Sequence, residues 1–90
     1  MDLNKEQVCE YDEKGWIILP QLFSKEEVSI LESAAMDVLQ RPGPEVAREL
    51  NGDPHVCWGM HLFDERFAAL TQHPSLLLPV EQLMRNQVFV

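Results

Sequence analysis

Cysteines, cationic side chains, glycine-rich loops and long apolar runs are all scarce in this chain, and each scarcity closes a functional class. Two cysteines among 90 residues, Cys9 and Cys57, stand in no metal-like or redox-like spacing. Apolar runs such as Trp16–Leu19 and Leu76–Leu78 fall far short of the roughly 20 residues a helix needs to cross a bilayer, so no membrane span is expected. Seven Lys and Arg stand against fifteen Asp and Glu, a formal net charge of −8, and no basic cluster interrupts that balance. Binding to nucleic acid or to anionic lipid is therefore disfavoured. No Gly-rich phosphate loop, nucleophile elbow or Cys–His pairing signature occurs, which leaves hydrolase, kinase and dinucleotide-binding readings without support. The opening Met-Asp-Leu-Asn-Lys lacks the apolar core of a signal peptide, and a reducing cytoplasm is the expected compartment.

What is present is enough to fold. Apolar residues make up 46% of the chain and include two Trp and four Phe, a composition that can supply a core. A chain of this length forms at most one small domain, burying roughly 60–65% of the surface its unfolded form exposes. The acidic residues fall mostly on helix starts and exposed faces, the distribution of a solvated surface.

Asn4 with Gln7 forms a capping-box pattern, and Leu3 with Val8 forms a hydrophobic staple, so a first helix is expected from about Lys5 with Gly15 ending it. Trp16-Ile17-Ile18-Leu19, closed by Pro20, reads as a short strand. Ser24 with Glu27 repeats the capping box. Val28, Leu31, Ala35, Val38 and Leu39 then trace the inner stripe of a second helix. Arg41-Pro42-Gly43-Pro44 must break it. A short helical turn is expected over 45–50, a turn at Asn51-Gly52-Asp53-Pro54, and irregular or weakly extended chain over 55–60. Asp64 starts a further helix carrying Phe67 and Leu70. His73-Pro74 starts the last, with Leu77, Val80, Leu83 and Met84 inside and Pro79 bending or splitting it. Gln87-Val88-Phe89-Val90 reads as a second short strand. The expected fold class is α+β: a mainly helical layer with two short strands.

The three histidines were tested as metal ligands and acid–base groups. His55, Cys57 and His61 supply three zinc donors without a fourth, and a structural zinc site wants four. Asp64 stands three positions after His61, whereas the facial iron triad usually draws its first His and carboxylate from positions separated by a single residue on a strand, two positions apart. His73 sits where a helix cap belongs. Trp58, Met60 and His61 mix aromatic, apolar and polar side chains in an irregular segment, a composition that lines small-molecule pockets as readily as it packs.

The order of helix, Gly15-Trp16-Ile17-Ile18-Leu19-Pro20 strand, polar link and Ser24-Lys25-Glu26-Glu27-Val28 helix start resembles the N-terminal part of the phytanoyl-CoA dioxygenase family. The run from Phe67 to Met84, followed by Gln87–Val90, is similar to that family's approach to its first core strand. The likeness spans nearly all of the chain, is thinnest over residues 41–59, and lies nearest the ectoine and free amino-acid hydroxylase members.

That resemblance implies a double-stranded β-helix, or jelly roll, using non-haem Fe(II), 2-oxoglutarate and O₂ to hydroxylate a small molecule such as an amino acid or derivative. Residues 1–90 would be the N-terminal portion of this single oxygenase domain. The family's iron-binding His-x-Asp/Glu pair, its second His and its 2-oxoglutarate anchor would lie beyond Val90, so residues 1–90 carry no catalytic, metal or cofactor-binding assignment and should be inactive alone. Trp58 and His61 fall in a stretch resembling the border of the substrate entrance. Halogenation is a variant that nothing before Val90 decides. Two other functions fit the same sequence: a freestanding acidic helical protein-interaction module using the second helix's apolar stripe, and a degenerate, non-catalytic oxygenase relative.

Overall fold

The computed structural model describes residues 2–90. It is an α+β chain with the order α1 (Lys5–Lys14), α2 (Lys25–Leu39), β1 (Val46–Arg48), β2 (Pro54–Cys57), a turn of 3-10 helix (Met60–Leu62), α3 (Glu65–Thr71) and α4 (Pro74–Met84). Helix takes up about half of it, and the sheet is a single antiparallel pair. Among the described residues no helix is long and apolar enough to cross a membrane. The chain falls into two compact units: the N-terminal residues up to Phe23 together with Thr71–Val90, and Ser24–Leu70.

In the first unit, α1 begins as its sequence dictates. The Asn4 side chain accepts the Gln7 N–H at 2.8 Å, and the Gln7 side chain accepts the Asn4 N–H at 2.9 Å. Gly15 ends the helix at φ 81°, donating its N–H to the Tyr11 carbonyl at 2.7 Å. A side chain there would be strained against the following peptide, so glycine is the residue that can turn the chain out. Leu3 is buried, and Gln82 of α4 holds its backbone at both ends: Leu3 N–H to Gln82 Oε1 at 2.7 Å and Gln82 Nε2 to Leu3 O at 3.0 Å.

The strand expected at Trp16–Leu19 is not formed. Exposure alternates along it as in a strand, with Trp16 and Ile18 outside and Ile17 and Leu19 half-buried, but among the described residues no neighbour pairs with its backbone. β-propensity marks a segment that suits a sheet; a strand also requires a partner. Residues 87–90 behave alike, unpaired in any ladder and with Phe89 almost wholly exposed.

His73 caps α4, its Nδ1 accepting the Ser75 N–H at 3.1 Å. The helix runs through Pro79 unbroken, at the loss of one backbone hydrogen bond, with the proline ring fully buried. The inner line is therefore Leu76, Pro79 and Leu83, three and four residues apart, and Val80 and Met84, expected inside, are exposed.

In the second unit, Ser24 Oγ accepts the Glu27 N–H at 3.1 Å and Glu27 Oε1 accepts the Ser24 N–H at 2.9 Å. Replacing Ser24 with Ala is expected to lower stability by about 1 kcal/mol, within a range of roughly 0.5–2 kcal/mol, in a thermal or urea melt. An unchanged melt would remove this cap from the account. The buried residues of α2 are Ala34 and Val38, flanked by half-buried Leu31, Ala35 and Leu39, so the expected stripe faces inward except at Val28, in the first turn of the helix, which is exposed.

The two strands lie where a helical turn and irregular or weakly extended chain were expected, so β1 replaces the helical turn and β2 takes the extended alternative. Val46 pairs with Cys57, Ala47 with Val56 and Arg48 with Pro54, and the register shift between Ala47 and Arg48 leaves His55 bulged out. The turn builds the hairpin: Glu49 N–H donates to Asp53 O at 2.8 Å, Gly52 N–H to Glu49 O at 2.9 Å, and Gly52 sits at φ 92°. A helical reading of 45–50 failed because closing a hairpin over so short a loop costs little and puts Val46 and Cys57 against Val38. Leu39, Met60 and Phe67 pack around that cluster.

Candidate functional site

Trp58 and His61 sit on the corner that carries the chain from β2 to α3. Trp58 N–H donates to Glu45 O at 2.7 Å, adding one hydrogen bond past the last strand pair and fixing where the indole starts. The chain reverses at Gly59, φ 65°, into the 3-10 turn. Leu62 N–H donates there to Gly59 O at 2.9 Å, and Phe63 and Asp64 N–H donate to Met60 O at 3.3 and 3.0 Å. Met60 is the anchor, packed on the Val38 cluster, and the corner pivots on it. Trp58, 65% exposed, and Leu62 therefore face solvent, while His61 is half-buried and makes no side-chain hydrogen bond or ion pair among the described residues.

Two ionic assemblies flank this corner. The Arg41 guanidinium lies 4.2 Å from the centroid of the Phe63 ring, and its Nε donates to Glu45 Oε1 at 2.7 Å. Arg66 bridges two acids: Nη2 to Asp64 Oδ2 at 2.8 Å and Nη1 to Asp37 Oδ2 at 3.0 Å. Asp64 Oδ1 also accepts the backbone N–H groups of Arg66 and Phe67, at 2.9 and 3.3 Å, and so starts α3 as its sequence implied. The hydrogen bond from Arg66 is the main cause that holds the Asp64 carboxyl below its ordinary range; Arg41 does the same for Glu45. Asp64, followed by Asp37, raises Arg66 in turn.

These directions set an acid response. A carboxyl whose folded pKa is depressed adds stability above its unfolded pKa, and that stability is lost as pH falls through the folded value. Thermal midpoints are thus expected to drop as the pH is lowered below about 4, the ordinary carboxylate range. Asp64→Asn should flatten the drop. A midpoint equally pH-dependent in the variant and the natural chain would show that this network does not carry the response.

The remaining candidates are dispersed. His55 Nδ1 meets Glu49 Oε1 at 2.9 Å on the hairpin, Cys57 is in the core, and His73 caps a helix. Among the described residues no three His, Cys, Asp or Glu side chains gather as a metal-binding group. The corner thus offers an indole, an imidazole and a guanidinium stacked on a ring: a surface for contact and stacking. Sequence reasoning missed Arg41, Arg48 and Arg66. Arg66 was legible, two residues after a helix-starting Asp, but Arg41 and Glu45 are separated by Pro-Gly-Pro and become neighbours only once that loop is folded.

No family model matches the chain, and no curated protein matches it either.

Proposed function

We propose that residues 1–90 form the N-terminal layer of a non-haem Fe(II)/2-oxoglutarate-dependent oxygenase of the phytanoyl-CoA dioxygenase kind, acting on a small molecule, with Trp58 and His61 beside the substrate entrance. The supporting observation is the state of Trp16–Leu19. Its four apolar residues alternate in exposure with period two, and its backbone makes no hydrogen bond among the described residues. Such a segment suits the edge of a sheet that further strands complete, as a jelly-roll core would. Gln87–Val90 likewise joins no ladder among the described residues and leaves Phe89 and Val90 exposed, although Val88 N–H donates to Glu81 Oε2 at 3.3 Å.

The residues described do not themselves fit iron, since no three ligand-type side chains meet. In this reading the metal and 2-oxoglutarate are held elsewhere, and the work of these residues is to cover one side of a reaction chamber and exclude water from it. The interaction-module reading draws support from Ile30 and Met36, which stand exposed on α2 outside its buried face.

The test is the mass of the natural gene product together with succinate formation from 2-oxoglutarate under added iron. A product of about 30 kDa or more, the size of one complete barrel domain, with iron-dependent turnover is the expected result. A stable product at 10.4 kDa without turnover would overturn the proposal in favour of the interaction module.

A further inference from the structure

The hairpin tip carries a bond that the function above does not use. Asn51 and Gly52 are both exposed, and an Asn followed by Gly is the pairing least hindered toward attack of the main chain on a side-chain amide. In that reaction the Gly52 nitrogen bonds to Asn51 Cγ, the Cγ–Nδ2 bond breaks, and ammonia leaves with the amide proton. Water then opens the five-membered imide at either carbonyl, giving Asp or isoaspartate at position 51. No oxidant or enzyme is needed.

The folded turn opposes each part of this step. The attacking nitrogen must give up its proton, and that N–H is donated to Glu49 O at 2.9 Å. The target amide is fixed at both ends by Asp53: Asn51 Oδ1 accepts the Asp53 N–H at 3.0 Å and Asn51 Nδ2 donates to Asp53 Oδ2 at 3.0 Å. Arg48 Nη1 closes the turn from the side, donating to Gly52 O at 3.1 Å. We infer that Asn51–Gly52 is a site of spontaneous deamidation that the closed hairpin masks and the opened hairpin releases.

Release is one-way. The product carries a carboxylate where Nδ2 had faced the Asp53 carboxylate, and like charges replace a hydrogen bond. In the isoaspartyl product the main chain is also longer by one methylene, so the Glu49–Asp53 and Gly52–Glu49 bonds cannot both re-form.

The full chain is incubated in mildly alkaline buffer, with and without guanidinium, and position 51 is followed by peptide mapping with fragmentation that separates Asp from isoaspartate. The natural fold is expected to deamidate at least about tenfold more slowly than the denatured chain, an opening free energy of about 1.4 kcal/mol or more. Arg48→Ala should fall between the two. If that variant unfolds outright, sub-denaturing guanidinium on the natural chain opens the turn instead, and the rate should rise before the global transition. Gly52→Ala, strained at φ 92° in the folded turn, should suppress product in the denatured arm, where only the hindrance at the attacking nitrogen differs. Equal rates folded and denatured, a rate flat up to the global transition, or undiminished product in denatured Gly52→Ala would each overturn the inference.

Discussion

An aspartate in place of Val38 is expected to abolish cooperative unfolding of the second unit, while an aspartate in place of Val28, ten residues earlier on the same helix, is expected to change stability by no more than about 0.5 kcal/mol. Both positions belong to the apolar stripe that periodicity assigns to α2. Val38 is 3% exposed and packs with Val46 and Cys57, whereas Val28 is 43% exposed. A carboxylate at 38 would be buried with no cation in the cluster to meet it. The cost is the loss of the valine's burial plus the desolvation of a polar group, about 4 kcal/mol or more, comparable to the whole stability of a unit this small. Circular dichroism melts of the two variants measure the difference. Equal losses at 28 and 38 would mean that the buried face of α2 has been placed wrongly.

That contrast marks what the residues disclose unaided. Both capping boxes, the Asp64 start and the His73-Pro74 start are local, each depending on side chains two or three positions from the backbone they satisfy, and Gly15 ends α1 through its own positive φ; each was legible. The stripe of α2 was legible too, in Leu31, Ala35, Val38 and Leu39, but the exposure of Val28 was not, because it depends on what lies opposite the helix rather than on anything within it. The strands were misplaced for the same reason. Trp16–Leu19 has the stronger β-propensity, but Val46–Arg48 and Pro54–Cys57 have each other, joined by a turn whose Asn-Gly-Asp chemistry is local while the pairing it closes is not.

The candidate site divides in the same way. Composition singled out Trp58, Met60 and His61, and the fold gives them different jobs: Met60 enters the core while Trp58 is left outside. The cations around them were only partly legible, because each also meets a partner that the folded chain brings from far along the sequence. Arg41 meets Phe63, twenty-two positions away, and Arg66 meets Asp37, twenty-nine positions away.

Arg48 is the strongest case of a hidden residue, and its replacement by alanine is expected to cost about 1–2 kcal/mol although the side chain is exposed. Helix α2 ends at Leu39 with no basic residue in its last turn and no glycine to close it. Arg48 supplies what is missing from the neighbouring strand: Nη2 donates to Arg41 O at 2.9 Å and more weakly to Leu39 O at 3.4 Å, and Nη1 to Gly52 O at 3.1 Å. One guanidinium thus satisfies carbonyls at the helix end and the hairpin turn together, and its charge faces the negative end of the helix dipole. Lysine retains the charge but lacks the planar fork that spans these acceptors, so Arg48→Lys should recover less than half of the loss. Hydrogen exchange adds a local readout. In Arg48→Ala the Gly52 and Glu49 amides should exchange faster while the Gln7 amide of α1 is unaffected. If Lys restores stability fully, the contribution is charge against the helix dipole alone. If Ala changes neither the melt nor the turn amides, the hairpin stands without its arginine and the clasp is incidental.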